Sequence, residues 1–192
     1  MNLILASASP RRQELLKLFG IPFSVRAADI DETMDPQKPP FDEVARVSRL
    51  KALAVPAGPD DVVIAADTIV VCEGRVLGKP HSEAEAHEML RLLSGRDHQV
   101  MTGCTISHGA LCETFTEVTD LHFRPLRERE ISRYVASGEP MDKAGSYGIQ
   151  GGAALFCQRM EGDYYNVMGL PVCRLGEVLR KLVPEIMEEQ TV

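Results

Sequence analysis

Apolar and polar positions along the chain fall into short blocks that switch between strand-like and helix-like spacing. Leu3 to Ala6 is an uninterrupted apolar run, as expected of a short buried strand. Ser9 can cap a following helix that has Pro10 at its first position, with Leu15, Leu16, Leu18 and Phe19 as the apolar face and Gly20 as the stop. A second helix is predicted from about Phe41 to Ala54, with Val44, Val47, Leu50 and Ala54 on one arc. Val62 to Ala66 and Ile69 to Cys72 are β-branched segments, closed by a turn signal at Glu73-Gly74. Ser82 and Glu85 have capping-box spacing for a helix that ends at Gly95 and turns Met89, Leu90 and Leu93 inward. Gln99 to Ser107 and Cys112 to Phe123 alternate in part and read as an antiparallel pair. A helix over about Leu126 to Ser137 stops at Gly138, and the glycine-rich stretch Asp142 to Gly152 reads as a loop. Ala153 to Phe156 is expected to be a strand. A last helix follows Leu170-Pro171 to about Glu188, ended or kinked by Pro184.

Strands and helices that interleave in this way predict an α/β fold with a mixed central sheet flanked by helices. The 192 residues suit a single domain spanning 1–192. No clean linker is visible, so one chain wrapped into two lobes is favoured over two independent domains. The net charge of −7 is opposite to that of a protein that coats nucleic acid. No run approaches the roughly 18 apolar residues of a membrane helix. The segment Met1 to Ala8 lacks the basic start of a signal peptide. The five cysteines are far apart and form no C-x-x-C pair, so they read as buried thiols of a cytoplasmic protein. The five histidines show no paired ligand spacing, and no G-x-S-x-G elbow occurs, which weakens zinc and serine hydrolase readings.

Four places break the local rules. Arg11 and Arg12 occupy the first turn of a predicted helix, where cations are disfavoured by roughly 0.3–1 kcal/mol each. Either they point to solvent or nearby acids, or they join Ser7, Ser9 and the helix amides in a phosphate cradle. Lys51 falls inside the apolar arc of its helix, where the commoner outcome is a snorkelling side chain and the alternative is a point charge for phosphate. Asp67 interrupts a run that should be buried, so it needs a partner, a metal or a catalytic task. Asp29, Asp31, Glu32 and Asp35 crowd one loop. Such clusters are mostly solvated, but one member joining Asp67 would make an all-oxygen site suited to Mg²⁺ or Mn²⁺. Lys79 adds a cation in the tight Gly78-Lys79-Pro80 segment. Gln150 adds, within a loop of four glycines, an amide that can both donate to and accept from a base edge.

The segments Leu3-Ile4-Leu5-Ala6-Ser7-Ala8-Ser9-Pro10-Arg11-Arg12, Ala65-Ala66-Asp67-Thr68, Gly78-Lys79-Pro80, Asp142 through Gly151 and Gly169-Leu170-Pro171 resemble, in order and nearly end to end, the Maf-type nucleoside triphosphate pyrophosphatases. Arg-Arg directly after Pro10, Thr68 after Asp67, and Tyr147 through Gln150 are similar to the branch acting on dTTP and UTP. The 7-methyl-GTP branch carries Trp-Arg-Arg after the proline. The resemblance implies hydrolysis at the α-phosphorus to a monophosphate and pyrophosphate, with Asp67 as proton acceptor and with Arg12, Thr68 and Gln150 choosing the substrate. It places Arg11, Glu32, Lys51 and Lys79 on pocket positions, beside the Ser7 and Ser9 of the phosphate cradle. It further implies a divalent cation, for which the all-oxygen reading offers Asp67 and Glu32 as ligands to Mg²⁺ or Mn²⁺, a two-lobed fold around a nucleotide cleft, and often a homodimer. Its partner is a free nucleoside triphosphate, neither a nucleic acid polymer nor a membrane. Family associations extend to house-cleaning of nucleotide pools and to cell-division arrest. Ser146 stands where the family frequently has alanine, a change expected to be harmless.

Overall fold

The computed structural model of the protein describes residues 1–188. Its elements run β1 (Asn2–Leu5), α1 (Pro10–Lys17), β2 (Phe23–Val25), α2 (Pro40–Ala54), β3 (Asp61–Cys72), β4 (Arg75–Leu77), α3 (Glu83–Leu93), β5 (Asp97–His108), β6 (Leu111–Phe123), α4 (Glu128–Val135), β7 (Cys157–Glu161), α5 (Tyr164–Met168), α6 (Val172–Leu182) and α7 (Pro184–Glu188). Short 3₁₀ turns occupy Glu139–Asp142, Ala144–Ser146 and Gly152–Leu155. The strands hydrogen-bond in the order β2-β1-β3-β5-β6-β7, with β4 on β3, forming the mixed sheet the sequence predicts. The chain divides into two compact units, one of Met1–Asp67, Thr102–Glu117 and the segment from Gly169, the other of Thr68–Met101 and Val118–Met168.

In the first unit β1 runs parallel to both β2 and β3, with Leu3 opposite Val62 and Leu5 opposite Ile64. Parallel strands are covered on both faces, which is why Leu3, Ile4, Leu5 and Val62 to Ala66 are all buried. Helix α2 lies directly on β5. A Cβ at Gly103 would collide with the Val44 carbonyl, so only glycine admits the helix backbone there. Hydroxyl groups secure the contact. Ser48 donates to the Ala45 carbonyl at 2.8 Å and therefore accepts from Thr105 at 2.8 Å, and Thr105 in turn accepts from Thr114 at 3.0 Å. The inward face of α2 is consequently Glu43, Val44, Val47, Ser48, Lys51 and Ala52, while Leu50 is exposed. The expected apolar arc was thus rotated, because a helix pressed this close to a sheet favours small and hydroxylated residues over leucine.

In the second unit β6 pairs antiparallel with β7, and β4 antiparallel with the end of β3. Ser82 accepts from the Glu85 amide at 3.2 Å, the expected cap of α3, although Glu85 returns its carboxylate to the His81 amide. His98, Phe123, Tyr147 and Phe156 form a core of edge-on rings. The His98 Nε2 and the Tyr147 hydroxyl lie 2.9 Å apart.

Several expectations are corrected. The two segments around Asp67 are one unbroken strand, β3. Ala153 to Leu155 belong to the 3₁₀ turn Gly152–Leu155, which Phe156 caps, and the strand begins at Cys157. Ser9 stands at the α1 N-cap without a capping side-chain bond. Only Cys72 and Cys104 of the thiols are buried; Cys173 is exposed.

Burial pushes the His98 imidazole down to about 4. The unfolded chain therefore binds a proton that the native state refuses between about pH 6.5 and 4. The stability from neutral His98 is complete above that window and is lost as pH falls through it, by about 3 kcal/mol. Glu43 and Glu130, held at about 2 by Arg46 and Arg124, lose their contribution only at lower pH, from about 4.5 downward. Denaturant titrations at stepped pH should show His98→Gln abolishing the slope between 6.5 and 4.5. An unchanged slope in the variant would place its origin elsewhere.

Candidate active site

Parallel strands deliver their loops at one end, the usual place for ligands in open α/β sheets. The last backbone bond of β1 with β3 runs from the Ala6 amide to the Ile64 carbonyl at 2.7 Å. Ser7 follows Ala6, and Asp67 lies three residues beyond Ile64. Both are buried. The Ser7 hydroxyl oxygen accepts from the Ser9 amide at 3.3 Å and from Arg12 Nη1 at 3.2 Å, leaving its own proton for a further partner. Arg12 Nε donates to the Gly169 carbonyl at 2.8 Å. Gly169 has φ of 111°, a conformation reserved for glycine, and so aims its carbonyl where a side chain would forbid it. Burial lowers the Arg12 pKa from its ordinary value, and the charges of Asp67 and Glu32 act against that. The first turn of α1 holds no acid, so Arg11 and Arg12 add positive charge to an already positive helix end.

Lys51 neither snorkels nor points to solvent. Its Nζ lies 2.7 Å from Asp67 Oδ1 and 2.8 Å from Glu32 Oε2. The Lys51 and Asp67 side chains are only 9% and 12% exposed, while that of Glu32 is 54% exposed. This is a buried ion pair whose third member opens to solvent. It resolves the anomalies of Lys51 and Asp67 together, since each is the partner the other needs.

The acidic loop divides accordingly. Asp31 accepts from the Thr33 amide and Asp35 from the Gln37 amide, both 2.9 Å, which are local turns. Only Glu32 reaches Lys51. Glu43 and Arg46 of α2 hold the loop in place: Glu43 accepts from the Asp35 amide at 2.8 Å and pairs with Arg46 at 2.7 Å, and Arg46 donates to the Thr33 carbonyl at 2.8 Å. Nothing in the sequence marked this clamp beyond an i,i+3 charge pair, because its targets are backbone groups of a loop.

Among the described residues no three His, Cys, Asp or Glu side chains gather around a common point. Asp67 and Glu32 do converge on one nitrogen, and each keeps an oxygen outside that contact. A hard divalent cation that retains waters and takes phosphate oxygens from its substrate needs only one or two carboxylates. The donor chemistry therefore fits such an ion.

Thr68, Lys79 and Gln150 belong to the second unit. Thr68 is half-buried, and Lys79 and Gln150 are exposed. The Gly145 amide donates to the Gly78 carbonyl at 3.0 Å, which joins the Lys79 segment to the glycine-rich loop. A Cβ at Gly145 would fall 2.8 Å from Val70, so the loop packs on β3 through glycine. Ser146, with φ of 61°, gives its hydroxyl to Met89 Sδ at 3.0 Å.

Residues 2–182 match the family described as Maf-like protein. The chain is 51% identical over 181 residues to a protein of Bacillus cereus (strain AH820) named dTTP/UTP pyrophosphatase, covering 94% of this chain and 95% of the relative. A Bacillus anthracis protein of the same name is 50% identical over the same shares. A HAM1 protein from Coxiella burnetii superposes with a TM-score of 0.46 at 16% identity, over 94% of this chain and 99% of that one. The family match over nearly the whole described chain, with identity at this level, makes the protein a member of the Maf family.

Proposed function

We propose that the protein hydrolyses dTTP and UTP to the nucleoside monophosphate and pyrophosphate. The observation that carries the reading is the 51% identity, over almost its full length, to a protein bearing that activity in its name. The chemistry of the residues supports it. Asp67, with Oδ1 fixed by Lys51, accepts a proton from the water that attacks the α-phosphorus. Lys51 cancels one of the two carboxylate charges that a polyanionic substrate would otherwise meet. Arg11, Arg12 and Lys79 stabilise charge on the phosphoryl oxygens and on the departing pyrophosphate, with the Ser7 and Ser9 hydroxyls as further ligands to phosphate. A divalent cation such as Mg²⁺ or Mn²⁺, held by Asp67 and Glu32, would supply charge neutralisation on the triphosphate.

Base choice is assigned to Gln150 and Thr68. Uracil and thymine share an acceptor at O4 and a donor at N3, and cytosine reverses both. A site built for one pattern leaves polar groups unpaired against the other, at roughly 1–3 kcal/mol each. The reading implies a cytoplasmic homodimer that acts on free nucleotides in the house-cleaning of their pools, with a link to cell-division arrest.

With Mg²⁺ or Mn²⁺ present, dTTP and UTP should release pyrophosphate, and CTP, dATP, GTP and 7-methyl-GTP little. Release of orthophosphate alone, or 7-methyl-GTP as the preferred substrate, would contradict the reading. Binding without release from any nucleotide would favour a sensor instead. Asp67→Asn keeps an oxygen for Lys51 but removes the charge opposite it, so the protein should still fold cooperatively at a lowered melting temperature while kcat, measured well below that temperature, falls about 10²- to 10⁴-fold. Near-normal turnover would remove Asp67 from the chemistry.

A further inference from the structure

The glycine-rich loop is built around a carboxylate that the sequence did not single out. Glu139 opens the 3₁₀ turn before the loop. Its Oε1 accepts from the Tyr134 hydroxyl at 2.9 Å and its Oε2 from the Gly152 amide at 3.1 Å. The Tyr134 hydroxyl also accepts from the Gly148 amide at 3.0 Å. One carboxylate thus fixes the backbone two residues before Gln150, through Tyr134, and two residues after it directly.

The glycines follow from that arrangement. A Cβ at Gly151 would overlap the Glu139 carboxylate, and one at Gly148 would lie 2.7 Å from Lys143 Cε. At Gly152 it would stand 3.1 Å from the Tyr134 ring. Lys143 is held over the same turn by the Glu139 carbonyl and Asp142, each 2.6 Å from Nζ. Gly148, Gly151 and Gly152 are therefore small because the loop is wrapped tightly on Glu139 and its neighbours. Between these anchors Ile149 is buried and Gln150 is exposed, so Gln150 is the residue there with an exposed side chain.

We propose that Glu139, acting through Tyr134 and the two glycine amides, is the positioning residue that sets Gln150 for pyrimidine discrimination. The inference rests on the assignment of Gln150 to base choice made above. A glutamine amide can rotate end over end and present either the uracil or the cytosine pattern. Its selectivity therefore depends on a backbone fixed well enough that only one orientation meets the base at hydrogen-bonding distance.

The test is the ratio of kcat/KM for UTP over CTP in four variants: Gln150→Ala, Glu139→Gln, Tyr134→Phe and the double variant Glu139→Gln/Gln150→Ala. Glu139→Gln keeps the size of the side chain and offers one acceptor where two are used. Tyr134→Phe removes the hydroxyl that links Glu139 to the Gly148 amide, keeps the Glu139 bond to the Gly152 amide, and serves if the first variant folds poorly. Gln150→Ala should lower the ratio about tenfold or more, the equivalent of one lost polar match. Glu139→Gln and Tyr134→Phe should each lower it several-fold, mainly through KM for UTP. Adding Glu139→Gln to Gln150→Ala should lower it no further. Additive effects in the double variant, or a normal ratio in both Glu139→Gln and Tyr134→Phe while Gln150→Ala falls, would overturn the positioning role alone. A normal ratio in Gln150→Ala would overturn the base assignment and the positioning role with it.

Discussion

An ammonium group cannot sit in a protein interior without a carboxylate to meet it, and the first unit is organised around one that meets two. Lys51 lies between Asp67 and Glu32 at hydrogen-bonding distance from both. Breaking a buried pair of this kind leaves an uncompensated charge at a cost of about 3–5 kcal/mol. Much of the surrounding structure fixes where that nitrogen stands. Gly103 admits α2 against β5, and the Ser48, Thr105 and Thr114 hydroxyls stop it from sliding. Lys51 follows Ser48 by three residues on the same inward face. Glu43 and Arg46, earlier on the same helix, hold the loop that brings Glu32 to it. The same helix thus places the lysine and secures its solvent-facing partner.

Around this pair the arginine side is arranged by carbonyl and hydroxyl oxygens. Gly169, free to adopt positive φ, turns its carbonyl to Arg12 Nε, and Ser7 receives Nη1. A guanidinium fixed at two of its nitrogens keeps its fork pre-set, which a lysine could not do. Carbonyl and hydroxyl oxygens orient Arg12 here, while the charges of Asp67 and Glu32 offset the effect of its burial.

Much of this was legible in the sequence, and the failures have physical causes. The strands and helices were readable because parallel strands demand continuous apolar runs and helices demand stops such as Gly20 and Gly138. The interruption at Asp67 pointed to function because a lone carboxylate in such a run is costly. Lys51 taken alone favours a snorkelling side chain over a point charge for phosphate, because the partners that make burial tolerable lie 16 and 19 positions away and no local pattern announces them. The rotated face of α2 was hidden for a related reason: it follows from Gly103 on a distant strand. Ser9 looked like a cap, but its amide is bonded to Ser7 and its hydroxyl makes no capping bond. The glycines near Gln150 could be read as permitting close approach, though the group they approach, Glu139, was visible only in three dimensions.

Asp67 is assigned to the water that attacks the α-phosphorus, and the position of the new bond can be read directly. Turnover of UTP in water enriched in heavy oxygen, followed by mass spectrometry of both products, reports which phosphorus was attacked. Label in UMP with none in pyrophosphate is the predicted result. Label in pyrophosphate with none in UMP would put the attack at the β-phosphorus and contradict the role given to Asp67.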